Sequence, residues 1–417
     1  MLTVPFLTPT PFARQLLPTN RSHPGSRPQA AAAMQQAAAC SCRSPLRSVL
    51  AGLRHNPVQH FRPPHIAGGV SAGVVRTMQS AGPDSTQAHG LLEMFKRAVP
   101  KLDGSNYKGQ HGKVGVVGGS NTYTGAPFFA AMAAHKVGAD MTFTLTHPAA
   151  VPTIRGYSPD MMVSSMLPWS PMQEGSFDME KWLKRLTVVV VGPGLDISSD
   201  PEMLLATEHL LKLAVAQELP LVIDGSGFDL LTRHQASLDL IKGYKRAVLT
   251  PNISELGRLA KALGQPLEGP MGSAWQQQLA RVATQLEGPL LVSKGPSDII
   301  IARRHVSTPG PGPTTASDDT LLSVRCDQQA SLKRCGGQGD VLAGILATFI
   351  GWQQTAQARE QPASDLCDAH PYQAAAFAAC TLLRTASKAS FERKGRAMLS
   401  LDVIEQLHPT FCQMFGE

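Results

Sequence analysis

Four consecutive valines, Val188 to Val191, stand between Thr187 and the turn Gly192-Pro193-Gly194. A run without polar alternation suits a strand covered on both sides, because successive side chains of a strand point to opposite faces of the sheet. A chain that contains such a strand must supply helices to both faces. The sequence repeats the pattern. Val114-Gly115-Val116-Val117 ends at Gly118-Gly119-Ser120, and Leu221-Val222-Ile223 ends at Asp224-Gly225. Ala247-Val248-Leu249 ends at Thr250-Pro251-Asn252, and Leu290-Leu291-Val292-Ser293 ends at Lys294-Gly295. Met141 to Leu145 is also strand-like, while residues 128–138 and 201–217 carry apolar residues at helical spacing. This rhythm predicts an α/β fold: a mostly parallel, doubly wound sheet with helices on both faces. In such sheets ligands sit beyond the carboxyl ends of the strands. The glycine turns, Asp224, the Asn252–Glu255 pair and Lys294 all fall there.

The net charge of +7 does not belong to the body of the chain. Residues 1–83 contain no Asp or Glu and eight arginines; without them 30 basic residues face 31 acidic ones. A neutral body gives no electrostatic case for a nucleic-acid partner. An Arg-, Ser- and Ala-containing, acid-free leader has the composition of a transit peptide to a mitochondrion or chloroplast. Met78 offers an internal start for a cytosolic form. The expected division is thus a leader at 1–83 and a single catalytic domain at 91–417. The Pro-, Gly-, Ser- and Thr-rich stretch 307–319 lies in a flexible loop expected near 305–330, with a milder loose stretch at 359–369. No run of eighteen apolar residues predicts a membrane span. The seven cysteines form no C-x-x-C pair, which predicts reduced thiols; Cys335 is read as small-residue filler rather than a nucleophile.

The chemistry concentrates at Gly336-Gly337-Gln338-Gly339-Asp340, followed by Val341, Leu342, Ile345, Leu346 and Phe349 at helical spacing. Glycines before a helix leave amide N–H groups bare for an anion, and the helix dipole adds to the attraction. Arg334 can add charge for phosphate. A carboxylate beside such a cradle repels phosphate unless it serves the reaction, so Asp340 is expected to take a proton from an attacking hydroxyl. The turn Lys294-Gly295-Pro296-Ser297-Asp298 has good hairpin chemistry and a lysine that could reach phosphates. Asn252 and Glu255 suit a helix cap, or an outer handle on Mg²⁺ through its waters. There is no Walker loop and no dinucleotide fingerprint.

Taken together, the G-G-Q-G-D loop, T-P-N-x-x-E and K-G-x-x-D resemble the ribokinase-like superfamily. Within it, the chain resembles the eukaryotic, ATP-dependent NAD(P)H-hydrate dehydratases. The resemblance runs through Lys108-Gly109-Gln110-His111-Gly112-Lys113, Tyr123-Thr124-Gly125-Ala126-Pro127, Lys136-Val137-Gly138-Ala139-Asp140, Tyr157-Ser158-Pro159-Asp160 and Val191-Gly192-Pro193-Gly194-Leu195. It implies ATP as co-substrate, Mg²⁺, and the hydrated cofactors NADHX and NADPHX as substrates. The hydrate's hydroxyl would be phosphorylated and phosphate then eliminated to restore NADH or NADPH. It implies Asp340 as base, with Lys294, Gly295, Pro296, Ser297 and Asp298 at ATP. Ser331, Leu332, Lys333, Arg334, Cys335, Gly336, Gly337, Gln338 and Gly339 would also bind ATP. The hydrate would be lined by Gly194, Asn252, Ile253, Ser254, Glu255, Leu256, Gly257, Arg258 and Asp340. Relatives are often homo-oligomers. The chain departs from the family at Tyr107, at Asp196, and at Asp224-Gly225-Ser226-Gly227, where D-A-D-G is usual. A vitamin-precursor kinase of the same superfamily, and a non-catalytic nucleotide-binding protein, are the competing expectations.

Overall fold

The computed structural model describes residues 85–104, 106–168, 177–269, 274–303, 321–359 and 370–416. The leader at 1–83, the stretch 307–319 and residues 360–369 lie outside the described residues. Nine strands form one sheet: β1 (Lys113–Val117), β2 (Met141–Thr146), β3 (Met162–Ser165), β4 (Val188–Val191), β5 (Leu221–Ile223), β6 (Ala247–Leu249), β7 (Leu290–Ser293), β8 (Asp298–Arg303) and β9 (Leu321–Cys326). Their order is β3-β2-β1-β4-β5-β6-β7-β8-β9. Every pairing from β3 across to β7 is parallel, whereas β7–β8 and β8–β9 are antiparallel. Part of the stretch expected to be loop near 305–330 is therefore strand. Leu321–Cys326 closes the edge of the sheet because its backbone can pair along the whole of β8, from Asp298 with Cys326 to Arg303 with Leu321.

The valine run works as its composition requires. Val188 and Val190 pack into one core while Val189 and Val191 pack into the other, and all four are 0–1% exposed. The first core is covered by α1 (Ser85–Ala98), α2 (Gly125–Lys136), α3 (Val151–Arg155), α10 (Gln338–Arg359), α11 (Gln373–Lys394) and α12 (Ser400–Phe415). The second is covered by α4 (Met179–Leu183), α5 (Pro201–Ala216), α6 (Gly227–Arg233), α7 (Gln235–Ile241), α8 (Ile253–Ala262) and α9 (Trp275–Leu286). The described helix α1 starts at Ser85, a few residues before the expected boundary of 91. No described helix is long and apolar enough to cross a membrane.

Two features position the site. The chain runs outward from β1 to β2 and β3, then returns to place β4 on the other side of β1. That reversal opens a crevice at the carboxyl ends of β1 and β4. The second is α10, whose stretch 341–353 is buried all round, with Val341, Leu342, Ala343, Ile345, Leu346, Phe349, Ile350 and Trp352 in the core. Its Gly344 lets α2 come close, since a Cβ there would sit 2.0 Å from the Ala130 carbonyl oxygen.

Candidate active site

The two glycine turns at the crevice interlock. The Gly119 amide donates to the Pro193 carbonyl at 2.8 Å, and a Cβ on Gly118 would lie 2.2 Å from the same oxygen. Gly192, with φ +124, brings the β4 end against β5: a Cβ there would meet the Asp224 carbonyl oxygen at 1.8 Å. Gly194 is tucked beneath the Tyr123 carbonyl, 2.8 Å from its own missing Cβ. These glycines serve close backbone approach as much as ligand access.

Asp224, which follows β5, is 2% exposed and gathers the ends of three strands. One carboxylate oxygen accepts the Thr250 hydroxyl at 2.7 Å, after β6, and the Lys294 ammonium at 2.5 Å, after β7. Glu255 Oε2 lies 3.9 Å from the same ammonium. Asn252 and Glu255 close a reciprocal cap on α8: Asn252 Oδ1 accepts the amides of Ser254 and Glu255, and Glu255 accepts the Asn252 amide at 2.8 Å. Burial, opposed by Lys294, keeps the Glu255 carboxyl above its usual range.

The start of α10 rests on this cluster. A Cβ on Gly339 would sit 3.2 Å from Lys294 Nζ and 3.5 Å from Asp224 Oδ2, so the helix start lies directly against this pair of side chains. The next residue is Asp340, which keeps part of its surface open although most of its surroundings are protein. Burial first, then the charges of Asp224 and Glu255, against the pull of Lys294, push its carboxyl up to about 7. Upstream, Gly337 has φ +95 and packs where a Cβ would lie 2.6 Å from the Phe129 ring and 3.0 Å from Ser400 Oγ. Ser400 donates to the Gly336 carbonyl at 2.6 Å, which ties the loop to the start of α12. Gly336 has open space where its Cβ would be, room that an anion could use.

The remaining sequence-derived candidates fall into distinct places. Asp298 ends up inside the turn after β7, where it accepts the Gly295 amide at 3.1 Å and pairs with Arg384 at 2.9 Å. Arg384 also donates to the Pro296 carbonyl. The pair therefore shapes the backbone of 294–298, a true antiparallel hairpin turn, and leaves Pro296 exposed. Ser297 Oγ accepts Arg325 at 3.0 Å. Lys333 spends its ammonium on the carbonyls of Arg396 and Met398, anchoring the loop before the cradle, while Ser331 donates to the Lys333 carbonyl at 2.6 Å. Leu332 is 84% exposed. Arg334 is exposed beside the cradle. Cys335 lies 3.5 Å from Ser400 Oγ and accepts Gln338 Nε2 at 3.3 Å. On α8, Leu256 is fully buried and faces the core, so its side chain cannot line a ligand, whereas Ile253 is exposed and Gly257 faces open space. Arg258 reaches Asp229 at 3.5 Å and Ser254 at 3.3 Å.

Sequence reasoning placed Asp224 at the sheet edge without giving it a role, and gave none to Thr250, Arg384, Ser400 or Phe129. Conversely, two stretches that carry the resemblance lie at the opposite edge. Asp140 accepts the amides of Gly109 and His111 at 2.7 and 2.9 Å, and Trp352 of α10 donates to the His111 carbonyl at 2.6 Å. They brace the amino ends of β1 and β2 and are remote from the cradle.

A doubly wound sheet with a glycine loop at a helix start, a carboxylate in the first turn and a hairpin beside it is the arrangement of a ribokinase-like fold. A ribokinase-like superfamily protein from Enterococcus faecalis superposes with a TM-score of 0.53 at 19% identity, covering 78% of this chain and 94% of that one. An ADP/ATP-dependent NAD(P)H-hydrate dehydratase from Bacillus subtilis, co-crystallised with ATP/Mg²⁺, superposes at 0.50 and 18% identity, covering 78% and 97%. The family profile of NAD(P)H-hydrate dehydratase matches residues 114–409, and the chain belongs to that family of enzymes. The ATP-dependent (S)-NAD(P)H-hydrate dehydratase of Bos taurus is 37% identical over 78% of this chain and 89% of its own. The enzyme of the same name from Mycosarcoma maydis is 34% identical over 85% and 97%.

Proposed function

We propose that this enzyme uses ATP to dehydrate (6S)-NADHX and (6S)-NADPHX, returning NADH and NADPH. The observation that carries the reading is Asp340, a carboxylate held near neutrality at the mouth of a glycine cradle. Hydroxide is a poor leaving group and phosphate a good one, so a phosphoryl-transfer fold suits a dehydration. Asp340 accepts the proton of the ring hydroxyl as its oxygen forms a bond to the γ-phosphorus and the bond to ADP breaks. The amides of 336–339 face the charge that develops on the transferring group. The phosphate then departs with the C–O electron pair, and loss of a proton from the neighbouring carbon re-forms the ring double bond. The net products are NAD(P)H, ADP and inorganic phosphate.

Mg²⁺ enters as the companion of ATP. No group of three or more His, Cys, Asp or Glu among the described residues could hold a metal ion. Glu255, expected to touch Mg²⁺ through water, is engaged by the Asn252 amide and faces Lys294. The side chains therefore do not fit a resident metal, and none of the steps above runs through one.

The relatives' names speak for the dehydratase against the vitamin-precursor kinase, which would keep its phosphorylated product. The test is purified enzyme with hydrated NADPH and ATP, followed by the absorbance of the reduced nicotinamide. Recovery of that absorbance with one phosphate released per turnover is expected. A stable phosphoester with no recovery would favour the kinase, and no reaction with either hydrate would reject both. The composition of residues 1–83 supports import into a mitochondrion or chloroplast, and a fluorescent fusion of the full chain would locate it.

A further inference from the structure

Helix α11 buries three polar side chains spaced three residues apart, Thr381, Arg384 and Ser387, which are 9%, 9% and 2% exposed. Residues so spaced are neighbours on a helix surface. Thr381 Oγ1 lies 3.5 Å from Cys326 Sγ at the end of β9. Arg384 Nε donates to the Gln328 carbonyl at 2.6 Å, and Ser387 Oγ accepts the Ser331 amide at 3.3 Å. The stretch that leads from β9 to Ser331 is thus stitched to α11 at three points. The rest of the Arg384 fork reaches the turn after β7. It donates to the Asp298 carboxylate at 2.9 Å, to the Gly295 carbonyl at 3.5 Å and to the Pro296 carbonyl. One guanidinium therefore joins the turn 294–298 to the chain that enters 331–339. We propose that Arg384, with Ser387 beside it, is a positioning residue for ATP: a gauge on α11 that fixes the separation of the two segments expected to hold the nucleotide.

Stability alone does not call for such a seam. Well-packed apolar residues in place of a buried ion pair are often neutral or stabilising. What apolar groups cannot do is set direction. A guanidinium is planar and presents its donors in a rigid fork, so its partners are held at fixed angles as well as distances. Three of the acceptors here are backbone carbonyls, from Gly295, Pro296 and Gln328, so the fork places main chain in both segments. Backbone that meets a ligand works only at the right separation, and misplacement by about 1 Å is costly. Arg384 spends its fork on protein acceptors and acts through that backbone, without touching the nucleotide itself.

This role rests on the reading that places ATP at 294–298 and 331–339, and the two can fail separately. Hydrogen exchange on the full-length enzyme, with and without a non-hydrolysable ATP analogue, tests the reading. Both segments should be protected, and absence of protection from either would reject it. Positioning is read from Arg384→Lys and Ser387→Ala, by the calorimetric Kd for the analogue, KM for the hydrate, and kcat at saturating ATP. Lysine keeps a charge beside Asp298 but has no fork to span the three carbonyls. Arg384→Lys should therefore raise Kd about tenfold or more, the equivalent of one hydrogen bond to a charged group. Ser387→Ala removes only the acceptor of the Ser331 amide and should raise Kd about threefold; it carries the test if Arg384→Lys does not fold. In both variants KM for the hydrate and kcat at saturating ATP should stay about where they are in the wild type. A merely structural role predicts the opposite split: a smaller active fraction lowers kcat and leaves Kd unchanged. That outcome, or an Arg384→Lys enzyme that binds the analogue as tightly as the wild type, would overturn the proposal.

Discussion

Replacing Asp340 by Asn should make the protein more stable, and the gain should depend on pH. The carboxyl is moved from an ordinary 3.8 to about 7 in the folded state, chiefly by burial. Between those values the folded chain binds more protons than the unfolded one, so stability falls as pH rises through this window. At about 1.4 kcal/mol per unit, the raised pKa costs up to ~4 kcal/mol at pH 8, and ~2 kcal/mol at pH 5, where folding must take up a proton. Asn is close in shape and carries no charge, so the variant should escape most of this. For a body of this size, ~2 cal/mol/K per residue of unfolding entropy turns those figures into a Tm gain of roughly 6 °C at pH 8 and roughly 2 °C at pH 5. Differential scanning fluorimetry of wild type and variant from pH 4 to 9, without nucleotide, measures the difference directly. A constant Tm difference across that range, or a variant less stable at pH 8, would show that no ionisation penalty resides at Asp340.

Two further substitutions probe the frame around Asp340. Gly337→Ala places a methyl group 2.6 Å from the Phe129 ring at a φ of +95. It should lower turnover at least a hundredfold and cost about 1–3 kcal/mol of stability, read from kcat and a denaturant titration. Arg384→Met leaves Asp298 buried without its partner. About 3–5 kcal/mol should be lost, and KM for ATP should rise as the 294–298 turn loosens; Arg384→Met with Asp298→Asn should recover a large part of the stability.

The central strands were legible because parallel strands under two helical layers have no solvent side to interrupt the apolar run. β5, β6 and β7 lie where Leu221-Val222-Ile223, Ala247-Val248-Leu249 and Leu290-Leu291-Val292-Ser293 put them. β9 was concealed: its alternation is brief, and the Pro/Gly/Ser/Thr stretch before it reads as loop. The glycines and Asp340 carried a local signal, since a cradle needs them adjacent in sequence. The partners that fix them had none. Arg384 meets Asp298 across 86 residues, Ser400 meets Gly336 across 64, and Lys294 meets Asp224 across 70. Only tertiary folding brings such pairs together, and no spacing rule announces them. Lys294 was legible at the end of its strand, but its direction was not, because that depends on Asp224 and Glu255 from other segments.

Helix α10 holds Asp340 at one end, and twelve residues on, about 18 Å at 1.5 Å per residue, Trp352 ties it to the far edge of the sheet. Gly344 wedges its middle against α2. A carboxylate mounted on such a strut cannot retreat from an ill-fitting molecule. Adaptation to different molecules then falls to side chains the core does not hold, such as the exposed Tyr123, Tyr157, Ile253 and Leu332. Those four side chains can change while the Asp340 carboxylate stays where the core has put it.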